Sequence, residues 1–221
     1  MQRFPKLYLL LSSFLLLTGC SIAKYNHLKC ESVGLYEKSI LPVIKPTIVS
    51  KYNASIDVLK NHLTGLLIIK QMDSVTTRIV FVTELGMKMF DFEAKNRKMN
   101  VIYVFEPLNK PQLIEVLKRN FNNMLLLNLD NSTTTPNICN NNQFPKIVFN
   151  VKGKEKWYYS WTKKDNGLSL TLQETFHNRK RTSKINYTYN TVTQTYSQIK
   201  CRQYGFIKFY FELNEIQKSN D

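Results

Sequence analysis

The chain is short of acid and cysteine, and it has no apolar run long enough to span a bilayer. Its 221 residues hold 16 Asp and Glu against 31 Lys and Arg, and four cysteines. The longest apolar run, Leu7 to Leu17, is broken by Tyr8, Ser12 and Ser13. A membrane-spanning helix needs roughly 20 residues, so a stop-transfer helix is not expected. There is no Gly-x-Ser-x-Gly, no glycine-rich phosphate loop and no tightly spaced acid pair in a suggestive setting. His27, His62 and His177 stand far apart, and no cysteine has metal-ligand spacing. No enzyme activity, metal or cofactor is expected. No nucleic-acid-binding motif is present, and nucleic acid is not an expected partner.

What is present begins at the N-terminus. Arg3 and Lys6 form a short cationic region, the apolar run follows, and the chain then reads Leu17-Thr18-Gly19-Cys20. That order is the pattern of an export signal. Leu-Thr-Gly-Cys is a lipobox, in which small residues admit the peptidase and the Cys20 thiol takes a diacylglyceryl group. Residues 1–19 are therefore expected to be a lipoprotein signal peptide, with Cys20 the lipid-modified N-terminus. Stable anchoring takes at least two acyl chains, and a bacterial lipoprotein carries two or three. Ser21-Ile22-Ala23 holds no aspartate and no acidic cluster. The expected location is the periplasmic face of the outer membrane.

Removing residues 1–19 leaves 202 residues, one domain by length. It takes away Arg3 and Lys6 and no acid, so the net charge falls from +15 to +13. Such a surface attracts anionic partners; a general bias towards Lys and Asn is the plainer reading, because the basic residues are scattered. An oxidising compartment permits one disulfide among Cys30, Cys139 and Cys201. The sequence does not choose the pair.

Residues 20–47 read as a lipidated tether with Pro42 and Pro46, residues 48–216 as the folded domain, and residues 217–221 as a tail. Short alternating runs dominate the domain, as half-buried strands require. Tyr52, Ala54, Ile56 and Val58 alternate with polar neighbours. Ile79 and Phe81 share a face, as do Phe90 and Phe92. Between these pairs Leu85-Gly86 is a tight connection, since Gly86 can take positive φ. Helical spacing replaces alternation at Leu113, Leu117, Phe121, Met124 and Leu125. Asn109 is the expected N-cap, with Pro111 in the first turn, Gln112 in the capping-box position and an end near Leu127. Residues 130–143 read as an Asn/Thr-rich loop. The final strand, 206–213, turns Ile207, Phe209, Phe211 and Leu213 to one face. About eleven strands and one helix imply a mainly β, α+β fold, because an antiparallel sheet of this size curls. The result is an incomplete barrel with a helical lid or plug.

This order of elements resembles the LolA/LolB family, and LolB in particular, from about Tyr52 to Ile216. The closest stretch is Arg78-Ile-Val-Phe-Val-Thr-Glu-Leu-Gly-Met-Lys-Met-Phe-Asp-Phe-Glu93. LolB proteins have a similar strand, a Pro-Leu-Gly loop and an alternating strand ending in acid. The resemblance implies an outer-membrane lipoprotein that accepts other lipoproteins from a LolA-like periplasmic carrier and inserts them into the outer membrane. It also implies an acyl-chain cavity, for which Ile56, Val58, Ile79, Phe81, Phe90, Phe92, Phe209 and Phe211 are the lining candidates. Leu85 and Gly86 would form the membrane-insertion loop. Insertion of one leucine gains roughly 1.5–3 kcal/mol. Glu84 stands where the family has proline, and its carboxylate opposes approach to an anionic leaflet. The alternatives are a lipid- or glycolipid-binding lipoprotein of the same fold, and a structural lipoprotein without ligand.

Overall fold

A computed structural model describes residues 25, 29–32, 43, 49–59, 61–127, 137–140, 147–164, 167–178 and 180–216. Cys20, the signal segment and the tail at 217–221 lie outside the described residues.

The strands are β1 (Lys29–Ser32), β2 (Ser50–Val58), β3 (Asn61–Gln71), β4 (Thr76–Thr83), β5 (Lys88–Lys95), β6 (Lys98–Val104), β7 (Asn137–Asn140), β8 (Ile147–Lys152), β9 (Glu155–Lys164), β10 (Gly167–His177), β11 (Lys180–Asn190), β12 (Thr195–Gln203) and β13 (Phe209–Glu215). They form one sheet in the order β1-β7-β8-β9-β10-β11-β12-β13-β2-β3-β4-β5-β6. Every pairing is antiparallel. The ends, β1 and β6, do not pair, so the sheet is curled and unclosed. Register shifts between β4 and β5, within β10, between β5 and β6, and between β11 and β12 add local twist; an extra residue on one strand bends it. Gly65 serves the same tight geometry. A Cβ there would lie 2.0 Å from the Val82 carbonyl oxygen, so only glycine lets β3 pass β4 this closely.

One α-helix is present among the described residues, α1 (Pro111–Met124), preceded by a 3-10 turn at Glu106–Leu108. It lies over the concave face, where Leu113, Leu117, Phe121 and Met124 are buried.

Several expectations need correction. Among the described residues the sheet has thirteen strands, not about eleven. β7 lies inside the stretch read as an Asn/Thr-rich loop, and β1 lies inside the stretch read as a tether. Neither four-residue segment has a strong local pattern; β7 is held between β1 and β8, and β1 pairs with β7. The helix cap is Lys110, with no side-chain hydrogen bond, not Asn109, and no capping box forms with Gln112. Proline at 111 disfavours helical backbone at the residue before it, which leaves Lys110 extended. Asn109 instead ends the 3-10 turn. The helix stops at Met124, and Leu126 takes φ +58°. The last strand begins at Phe209, leaving Phe206 in the preceding loop.

Candidate functional site

Alternation along β2, β4, β5 and β13 turns one face of each strand into the concavity. Ile56, Val58, Ile79, Phe81, Phe90, Phe92, Phe209 and Phe211 all belong to the same core, and none is more than 2% exposed. The helix closes over them through Phe121. Its ring lies 5.5 Å from Phe90, 6.2 Å from Phe92 and stacked 5.7 Å from Phe211. This is close aromatic packing. An acyl chain entering here has to displace α1.

The other half of the concavity, under β9 to β12, is built differently. Its buried side chains include Trp157, Tyr159, Trp161, Gln173, Thr175, Ser183, Tyr187, Cys201 and Gln203. The helix meets this half with asparagines. Asn120 donates to the Val116 carbonyl at 2.8 Å and to Gln203 Oε1 at 2.5 Å, and it accepts from Cys201 Sγ at 3.3 Å. Asn123 accepts from Trp157 Nε1 at 3.3 Å and faces Thr175 and Ser183 at 3.5 and 3.4 Å. Tyr187 donates at 3.2 Å to the Met124 carbonyl or to Gln173 Oε1. Three polar atoms here have no partner among the described residues: Tyr159 Oη, Trp161 Nε1 and Gln173 Nε2. Gln173 stands directly opposite Tyr159, so two of these groups are strand neighbours. Burial pushes the Tyr159 and Tyr187 phenols and the Cys201 thiol up, and Tyr196 up to about 12. All stay protonated at neutral pH; Tyr187 and Cys201 act as donors, and Tyr196 accepts from the Leu170 N–H at 2.8 Å.

A cleft of about 550 Å³ opens where the N-terminal half of α1 meets the sheet, lined by Val116, Arg119, His177, Gln203 and Phe206 among others.

The β4–β5 hairpin projects away from this core. Thr83 and Met87 close it through Thr83 N–H to the Met87 carbonyl at 2.9 Å, and Gly86 N–H donates to the Thr83 carbonyl at 2.9 Å. The Thr83 hydroxyl accepts from Met87 N–H at 3.1 Å. Gly86 has φ +79°, as a three-residue hairpin loop ending in a left-handed residue requires. The loop is held by backbone bonds, and Leu85 at its tip is 93% exposed.

The sequence placed the apolar half and the exposed hairpin. It missed the polar half, including Asn120, Asn123, Gln173 and Gln203. Asn120 and Asn123 share a helical face, and that spacing was the available signal.

No protein-family model matches the chain, and no curated protein sequence matches it. Among solved structures, the LolA superfamily protein NE2245 from Nitrosomonas europaea is similar at 9% identity. The match covers 79% of this chain and 87% of that chain, with a TM-score of 0.44.

Proposed function

We propose that this protein is an outer-membrane lipoprotein that accepts acylated proteins from a periplasmic carrier and passes them to the membrane. The observation that carries the reading is Leu85. An apolar side chain that is almost wholly exposed, on a hairpin braced by its own backbone, has no role in the core. It suits contact with acyl chains, each buried leucine gaining about 1.5–3 kcal/mol. In this reading α1 is the lid, and acyl chains replace Phe121 against Phe90, Phe92 and Phe211. No energy source is needed if the opened concavity holds acyl chains more tightly than the carrier does. Export and acylation at Cys20 belong to the same proposal. They are tested by fatty-acid labelling of the wild-type chain and of Cys20→Ser, which should lose both label and membrane association. Depletion of the protein in its host should strand lipoproteins in the periplasm or inner membrane. Normal outer-membrane delivery after depletion would refute this role.

The polar half favours a second reading, a binder of lipids or glycolipids with polar headgroups. The unpartnered donors at Tyr159, Trp161 and Gln173 suit a ligand rich in oxygen acceptors. Mass spectrometry of molecules co-purifying with the protein separates the two readings, because cargo delivery predicts acylated protein and this alternative predicts free lipid.

A further inference from the structure

We infer that the β12–β13 hairpin, led by Phe206, is a second membrane-contact point and that its partner is an anionic phospholipid bilayer. The inference rests on the reading of the protein as membrane-anchored, but on different residues from those used for delivery.

Strand directions decide which hairpins share an end of the sheet. β2, β4 and β12 run the same way, because β13 and β3 lie antiparallel between them. Their outgoing turns therefore emerge together. Those turns carry Leu59 at 49% exposure, Leu85 at 93% and Phe206 at 101%. A fully exposed phenylalanine is costly in water and is at home in the interfacial region of a bilayer.

Charge near the same end fits an anionic surface. On the convex face Lys184 of β11 stands directly opposite Arg202 of β12. Like charges in that position repel; on its other side Lys184 faces Glu174 of β10, whose carboxylate is engaged by Arg181 and Tyr25. Glu212 is occupied by Lys200 at 3.2 Å. Arg202 lies over the Tyr210 ring, 6.0 Å from its centre. These cations and Lys208 line neighbouring clefts beside the Phe206 loop, where lipid phosphates would relieve the repulsion.

Tyr25 sits at the same end. Tyr25 is buried on the convex face, stacked 4.0 Å from Tyr158 and edge-on to Phe176, and its hydroxyl donates to Glu174. Phe176 and Tyr158 sit near the ends of β10 and β9 that lie beside the outgoing turn of β12. From Tyr25 back to Cys20 is five residues, a reach of at most about 18 Å. A lipid on Cys20 thus holds this end of the sheet near the membrane.

The test uses the acylated full-length protein in vesicles, with a photoreactive phenylalanine at position 206 or, as a control, at Val192. Val192 is 89% exposed on the opposite end. Position 206 should cross-link to phospholipid at least several-fold more than position 192 in phosphatidylglycerol-containing vesicles. The excess should fall in pure phosphatidylcholine, and also in the Lys184→Gln, Arg202→Gln double variant. Equal cross-linking at the two positions overturns the inference, as does indifference to both lipid charge and the double variant. Preferential cross-linking at 206 without cargo transfer would sink the delivery reading and leave this one standing.

Discussion

The two halves of the concavity are built from opposite chemistries under one helix. Beneath β2, β4, β5 and β13 the helix presents Leu117 and Phe121 to aliphatic and phenyl groups. Beneath β9 to β12 it presents Asn120 and Asn123 to hydroxyls, amides and an indole N–H. Dispersion and area burial hold the first half, and neither fixes a direction. Hydrogen bonds hold the second, and each costs free energy if broken without replacement. A helix gripped this way can lift from the apolar side while the asparagines keep its position on the other. In the proposed delivery reading acyl chains occupy the first half, and in the lipid-binding alternative polar headgroups occupy the second.

The largest effect should come from the apolar half. Phe121→Ala removes a ring shared by Phe90, Phe92 and Phe211 and should cost about 3–5 kcal/mol in urea unfolding. A loss below 1 kcal/mol would mean that the helix is not packed there. In the polar half, Asn123→Leu leaves the Trp157 N–H without its acceptor and should cost about 1–3 kcal/mol. Tyr159→Phe should be smaller still, because its hydroxyl has no partner among the described residues. At neutral pH it should change stability by less than about 0.5 kcal/mol.

That variant also sharpens the comparison through pH. Burial raises the folded-state pKa of Tyr159, Tyr187 and Cys201. Groups raised in this way contribute stability that is complete below their ordinary values. It is lost as the solution becomes more alkaline, because the unfolded chain ionises first. Unfolding midpoints should therefore fall above about pH 9, and Tyr159→Phe should lessen that fall.

How much of this was legible in the sequence follows the same division. Alternation at Tyr52, Ala54, Ile56 and Val58 gave β2 and its buried face, because hydrophobic period is a local signal. The stripe from Leu113 to Met124 gave the helix in the same way. Glycine after Leu85 marked the hairpin tip. The polar half left no such trace, since Gln173, Ser183 and Gln203 look like surface residues until strand pairing buries them. β1 and β7 were hidden for a related reason. Each is four residues long; β1 pairs only with β7, more than a hundred residues away, and β7 sits between β1 and β8.

The smallest effect on stability is expected at the hairpin tip, and the largest effect on function. Leu85→Glu changes a side chain that touches little, so unfolding should shift by less than about 0.5 kcal/mol. The decisive measurement is transfer of an acylated protein from a soluble carrier to vesicles, comparing wild type with Leu85→Glu. The account predicts transfer by the wild type and loss of most of it in the variant, with the fold unchanged. Equal transfer by both proteins, or none by the wild type, would contradict it.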